Sequence, residues 1–233
     1  MNWDLVWTEN NLIRLVVGNL ARGDPGGLLL TIGLSILCIV VSTVLGAVIG
    51  IMRVSRSRWV SVPAAIYVLT LRNVPVLILI FWAYFVPPYL GLQTSQFASV
   101  AMALILFTAA YIAEIVRGGI RSVPPGNIMA ARALGLSNFE TQAWVVLPQA
   151  FHNMIPALTG RYITVVKNTS LAFLIGLADL TEIGKEINDR LMTAPIELYF
   201  TLLLIYFVVN RGLSAITGSL ENLGRFNRLF IRI

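Results

Sequence analysis

From Leu28 to Met52 the chain carries no charged side chain. A run of that length reads as a helix crossing a bilayer, because roughly 20 apolar residues span the hydrocarbon core and a helix satisfies its own backbone polar groups there. Comparable runs recur near Val62–Tyr89, Phe97–Ile120, Ile155–Leu177 and Leu198–Ser219. They predict about five spans and leave no room for a separate soluble domain, so the expected fold class is an all-α integral membrane protein. Composition agrees: 57% of the 233 residues are hydrophobic and 12% charged, with a mean hydropathy of +0.80, far more apolar than a soluble domain. The net charge of +6 raises nucleic acid as a partner, but the basic residues are not gathered with aromatics on a polar face, which excludes that reading. The lone Cys38 lies inside an apolar run, so neither a disulfide framework nor a metal-binding cysteine pair is expected.

Residues 1–27 differ from the spans. Trp3, Val6, Trp7, Leu12, Ile13, Leu15, Val16 and Leu20 alternate with Asp4, Glu9, Asn10, Asn11 and Arg14, which predicts an amphipathic helix lying at the membrane interface with tryptophan anchors. A secretory signal would open on basic residues; Asp4 and Glu9 argue that the segment stays on the mature protein. The first span then carries Ser42, Gly46 and Gly50 at four-residue spacing. Such a stripe admits the close approach of another helix, either within the chain or from a neighbouring subunit.

Arg53, Arg56 and Arg58 follow at once and assign their loop to the cytoplasm. Counting along the chain, the inner segments hold Arg53, Arg56, Arg58, Arg121, Arg132, Arg225, Arg228 and Arg232, against Arg14, Arg22, Lys185 and Arg190 outside. The expected topology has the N-terminus periplasmic, the C-terminus cytoplasmic and residues 221–233 as a basic cytoplasmic tail.

Polar residues interrupt the spans at several places, among them Asn210-Arg211 in the fifth. Arg72 and Pro75 sit well inside the second, where proline removes a helix hydrogen bond and an arginine is costly unless it meets protein or water. Glu114 and Arg117 are three apart near the inner end of the third and can pair on one face, as a local neutralisation or as part of a gate. Lys167, Asn168, Thr169 and Ser170 break the fourth and must find protein, water or ligand.

Between the third and fourth spans runs a polar segment, 121–154. Pro124, Pro125 and Gly126 forbid a continuous helix; Asn127 can cap a short helix through Ala130, Ala131 and Arg132 that Gly135 stops; a second can run from Ser137 to about Pro148. The Ala130-Ala131 pair, Gly135 four residues on and Leu147-Pro148 twelve after that resemble the cytoplasmic loop of permease subunits in binding-protein-dependent ABC importers. The run Ala113-Glu114-Ile115-Val116-Arg117-Gly118-Gly119-Ile120, the Arg72-to-Pro75 pattern and Lys167-Asn168-Thr169-Ser170 are similar to the subfamily that imports polar amino acids.

The resemblance implies a type I importer permease fold, with 28–220 as the permease domain. It implies that Ala130, Ala131, Arg132, Gly135, Leu147 and Pro148 form coupling helices for an ABC ATPase dimer, and that no cofactor belongs to this chain, ATP being bound by the partner. A second permease subunit, identical or paralogous, and a periplasmic amino-acid-binding protein complete the expected assembly in a bacterial inner membrane. One departure is Met129, where the family most often has Glu; a salt bridge made by that Glu is impossible here. Arg72, Pro75, Glu114 and Lys167–Ser170 are expected along the substrate path. The neutral Asn168 beside the cationic Lys167 disfavours a basic amino acid and favours an acidic or polar one such as glutamate, aspartate or glutamine. An enzyme is not indicated: the single His152 has no ligand-spaced cysteine or carboxylate and reads as a loop residue, and Gly184-Lys185-Glu186 lacks the Ser/Thr and upstream Gly of a P-loop. The alternative is a stand-alone secondary transporter or channel subunit using Arg72, Glu114, Lys167 and Arg211 as a relay or pore lining.

Overall fold

A computed structural model describes residues 2–19 and 23–230, with backbone alone at Asp24 and over 219–230. Arg22 and Arg232 therefore lie outside the described residues, as do the side chains of Arg225 and Arg228. The elements are helices α1 (Trp3–Val6) and α2 (Glu9–Val17), a two-residue antiparallel ladder of β1 (Gly18–Asn19) with β2 (Asp24–Pro25), then α3 (Gly27–Arg53), α4 (Arg58–Arg72), α5 (Val76–Tyr89), α6 (Gln96–Arg121), α7 (Pro125–Ala133), α8 (Asn138–Glu140), α9 (Leu147–Thr169), α10 (Leu180–Leu191) and α11 (Pro195–Phe230). Helices α3, α6 and the Pro195–Gly218 part of α11 are long and apolar enough to cross a membrane, and α4 with α5 makes a fourth span if the broken pair is counted as one. The remaining expected span, Ile155–Leu177, differs from expectation. It belongs to α9, which starts eight residues earlier and carries His152, Asn153, Arg161 and Lys167, so it is long but less apolar.

The chain divides into two compact units, the first built from Met1–Val41, Val74–Phe107 and Ile163–Leu213, the second from Ser42–Asn73, Thr108–Tyr162 and Ser214–Ile233. In the first, Leu34 and Cys38 of α3 pack with Ile80 and Ala83 of α5, Val100 and Leu104 of α6 and Val165 of α9. A second core in the same unit gathers Val6, Leu15, Leu180, Ile183, Ile187, Leu198 and Leu202. The buried positions of α10, Leu180, Ile183, Gly184 and Ile187, recur at helical spacing. At Gly184 a Cβ would stand 2.6 Å from a Leu202 methyl, so this glycine lets α10 close on α11.

The N-terminal segment is two short helices rather than one. Thr8 accepts a hydrogen bond from the Asn11 N–H and starts a new helix after α1. Val6 and Leu15 are buried while Leu12, Ile13 and Val16 are exposed; Arg14 bonds Glu186 at 2.8 Å, and Trp3 stacks edge-on to Phe200. Asp179, in the same unit, is fully buried and caps α10 through the Glu182 N–H at 2.9 Å, with the Tyr206 hydroxyl 3.3 Å from its other oxygen.

Burial pushes the Asp179 carboxyl up to about 6, partly opposed by bonds from Glu182, Thr181 and Tyr206. Because the folded state holds its proton more tightly than the unfolded chain, its stabilising contribution is complete below about pH 4 and is lost as pH rises through 6, by roughly 3 kcal/mol. Asp179→Asn keeps a capping oxygen, and the melting temperature of the purified protein should then lose its decline between pH 4 and 6. An unchanged pH profile in that variant would count against the assignment.

In the second unit Ile112 and Val116 of α6, Val123, Val146, and Ala150 and Met154 of α9 form the core. The small-residue stripe of α3 is used within the chain: a Cβ on Gly46 would lie 2.8 Å from the Ala109 carbonyl oxygen, and one on Gly50 would lie 2.6 Å from the Val116 Cβ and 2.8 Å from the Ala113 carbonyl oxygen. Helices α3 and α6 thus meet backbone to backbone, as small residues permit in a membrane. Gly50→Val should cost about 1–3 kcal/mol through overpacking, seen as a lower melting temperature in detergent, whereas Gly118→Ala, where the added Cβ meets nothing within 4 Å, should not lower it.

Candidate functional site

The polar loop of the second unit folds as two short helices. Pro125 occupies the first turn of α7, where its missing N–H costs nothing, after Pro124 in extended backbone. Asn127 is therefore inside the helix rather than its cap, and its amide donates to Gln149 Oε1 at 2.7 Å. Gly135, at φ +88°, ends the helix as expected. Ser137 and Glu140 form a reciprocal capping box that opens α8, and these bonds hold the Glu140 carboxyl below the usual range.

The second short helix does not end at Pro148. Thr141–Val146 continue as a π turn, with the Leu147 N–H reaching back to the Gln142 carbonyl, and the chain passes directly into α9. A wider turn tolerates the N–H that Pro148 lacks, so the proline bends no helix apart. His152 consequently lies in α9, not in a loop.

Of the coupling candidates, Ala131 is buried against the core while Ala130, Arg132, Gly135, Leu147 and Pro148 are exposed; the Arg132 guanidinium donates to Asn138 Oδ1 at 2.7 Å. Around them Met129, Leu134, Phe139 and Trp144 are exposed, Leu134 by 81% and Phe139 by 80%.

The second span is broken rather than merely kinked. Asn73 closes α4 with its amide on the Leu69 carbonyl at 2.7 Å, and Pro75, in the first unit, stands in extended backbone just before α5. In the second unit, Glu114 is the hub of a charge cluster. Arg53 Nη1 binds Oε2; Arg117 binds both oxygens, its Nε at 3.0 and 3.1 Å; Arg72 Nη1 lies farther off, at 3.8 Å from Oε2. The expected Glu114–Arg117 pair is present, enlarged by two arginines from α3 and α4.

Sequence reasoning missed Arg161, buried in α9 with its guanidinium 4.0 Å from the centre of the Tyr111 ring and its Nη2 3.5 Å from the Thr108 hydroxyl. The rule that singled out Arg72, a cation within a span, applies equally to Arg161 and would have found it.

The remaining candidates belong to the first unit. Lys167 is exposed and Asn168 half-buried at the end of α9; the helix does not break there but tightens into a 3-10 turn over Ser170–Ile175 that Gly176, at φ +77°, ends. Thr169 and Ser170 donate their hydroxyls to the Val166 and Lys167 carbonyls, at 2.8 and 2.6 Å; Thr169 is fully buried, and the half-buried Ser170 oxygen is left to a ligand as an acceptor only.

A family described as the binding-protein-dependent transport system inner membrane component matches residues 21–222. The chain belongs to this family. The permease is 34% identical over 199 residues to the probable glutamine ABC transporter permease protein GlnP of Bacillus subtilis, covering 84% of this chain and 90% of the relative. It is 30% identical to the glutamate/aspartate import permease protein GltK of Escherichia coli, with the same coverage. The L-cystine transport system permease protein TcyB of Bacillus subtilis is 31% identical over 91% of this chain and 95% of its own. Among solved structures, a chain of an amino acid ABC transporter with histidines superposes with a TM-score of 0.79 at 31% identity, covering 84% of this chain and 91% of its own. The MetNI methionine ABC transporter, at 19% identity and a TM-score of 0.73 over 93% of this chain and 99% of its own, shares the fold. The permease thus has the all-α ABC importer fold expected from its sequence.

Proposed function

We propose that the chain is the membrane permease of an ATP-driven, binding-protein-dependent importer of acidic or polar amino acids. The observation that carries this is the 125–146 loop. A polar connector that presents Met129, Leu134, Phe139 and Trp144 to its surroundings has the character of a protein-docking surface. Helices α7 and α8 then serve as the coupling elements, with Ala130, Arg132 and Gly135 at the contact and Leu147-Pro148 at its edge. With Met129 in place of an acidic residue, apolar packing takes over what a salt bridge would supply.

ATP hydrolysis is assigned to a separate ATPase dimer, delivery to a periplasmic binding protein, and the path to two permease subunits in the inner membrane. The arginine loops at 53–58 and 121 face the cytoplasm with the C-terminus, and the N-terminal segment 1–27 lies at the periplasmic interface. The names of relatives that carry glutamine and glutamate/aspartate support the substrate class, as do the neutral Asn168 and the cationic Lys167 and Arg72.

Uptake into vesicles holding the purified complex should need internal ATP and the binding protein. Uptake on an ion gradient alone would instead establish a secondary transporter. In competition assays glutamate, aspartate or glutamine should outcompete lysine and arginine, and Asn168→Asp should move the ranking toward the basic amino acids.

A further inference from the structure

We infer that Arg72 and Arg161, placed about the Tyr111 ring, form the site that receives the side-chain carboxylate of an anionic amino acid, and so set the charge preference of the importer. The inference rests on the importer reading above. Three guanidinium groups surround the single Glu114 carboxylate, an excess of two positive charges in that cluster. Both Glu114 oxygens are engaged by Arg53 and Arg117. Arg72 stands apart from that network: it is 3.8 Å from Glu114, and its side chain is 38% accessible, against 15% for Arg53 and 23% for Arg117.

The Arg72 guanidinium lies 5.2 Å from the centre of the Tyr111 ring, and Arg161 lies 4.0 Å from the same centre. The Tyr111 hydroxyl points to the Arg72 carbonyl oxygen at 3.4 Å, tying the ring to the end of α4. Two cations on one aromatic ring gain from its π-density but repel each other, and an anion between planar forks removes the repulsion while making paired charge-assisted bonds. Inside a membrane protein an excess of cationic charge calls for such a counter-ion.

The chemistry selects which carboxylate. An α-carboxylate brings its own ammonium one carbon away, and Glu114, held by two arginines, has no oxygen to spare for that ammonium. A side-chain carboxylate sits several bonds from the ammonium and meets the guanidinium groups without it. Glutamate and aspartate fit this requirement; glutamine presents no charge there.

The test is direct binding of radiolabelled glutamate and glutamine to the permease–ATPase complex in nanodiscs, without the binding protein. Arg72→Gln and Arg161→Gln should each weaken glutamate at least tenfold and leave glutamine within twofold, with Arg72→Lys intermediate. ATP hydrolysis by the same complexes reports that they are assembled. Parallel losses for glutamate and glutamine would reveal a structural role and overturn the inference, as would wild-type binding of glutamine with none of glutamate. Wild-type glutamate binding weakened by phosphatidylglycerol but not by phosphatidylcholine alone, and insensitive to the lipid in Arg72→Gln, would make the occupant an anionic lipid headgroup, again overturning it. Should the wild-type complex import no amino acid into vesicles with ATP and the binding protein, the importer reading itself fails, a result distinct from all of these.

Discussion

Glu114→Gln is expected to abolish uptake and to lower the melting temperature of the purified permease by several degrees. Glu114 accepts hydrogen bonds from Arg53 and Arg117 and is the nearby counter-charge of Arg72, and the glutamine amide would leave three cations facing one another. Breaking a buried pair from one side costs about 3–5 kcal/mol, because the remaining charge loses its counter-charge without regaining water. With 24% of the Glu114 side chain accessible, a figure of about 3 kcal/mol is the appropriate end of that range. The same account requires a second-site effect: adding Arg53→Gln to Glu114→Gln removes one of the stranded cations and should restore part of the lost melting temperature. If the double variant melts below the single one, repulsion is not the cause of the loss.

Ala130→Leu should disconnect the permease from its ATPase while leaving folding intact. Ala130 is exposed on α7 beside the apolar side chains Met129 and Leu134, so the larger residue meets nothing inside the chain, whereas a helix seated in a groove tolerates little added volume. Binding-protein-stimulated ATP hydrolysis should fall at least tenfold, with normal membrane insertion and melting temperature. Gly135→Leu is a less direct probe, since φ is +88° there and a leucine carries a backbone penalty of about 1–2 kcal/mol independent of any partner. Gly135→Asn, which accepts that conformation more readily, isolates the steric effect. Wild-type stimulation in Ala130→Leu would remove α7 from the coupling surface.

Long apolar runs and helix punctuation were the legible part of this fold. The start of α3, the stop at Gly135 and the cap at Ser137 follow from residues whose effects are local. What the chain order hid depended on contacts between distant segments. Gly46 and Gly50 announce a close approach but not its partner; that α6 fills the role, through Ala109 and Ala113, emerges only from packing. Pro148 misled because a proline reads as a helix end, and the π turn before it is a remedy that no local pattern announces. The Glu114–Arg117 pair was visible at three-residue spacing, whereas Arg53 and Arg72 join it from helices 61 and 42 residues away in sequence. Asp179 reads as one more acid in a polar connector; its burial under Tyr206 is a tertiary fact.

The uninterrupted passage from α8 through the π turn into α9 makes one stiff lever of Asn138 and Arg161. The two lie on one continuous helical run with roughly 35 Å of helical rise between them, so on a straight rod a tilt of about 5° at the loop end would displace the guanidinium end by about 3 Å. That is comparable to the spacing that separates stacking on Tyr111 from losing it. The widened turn is the compliant point of the rod, where part of an applied tilt is absorbed, and stiffening it would lengthen the throw delivered to Arg161.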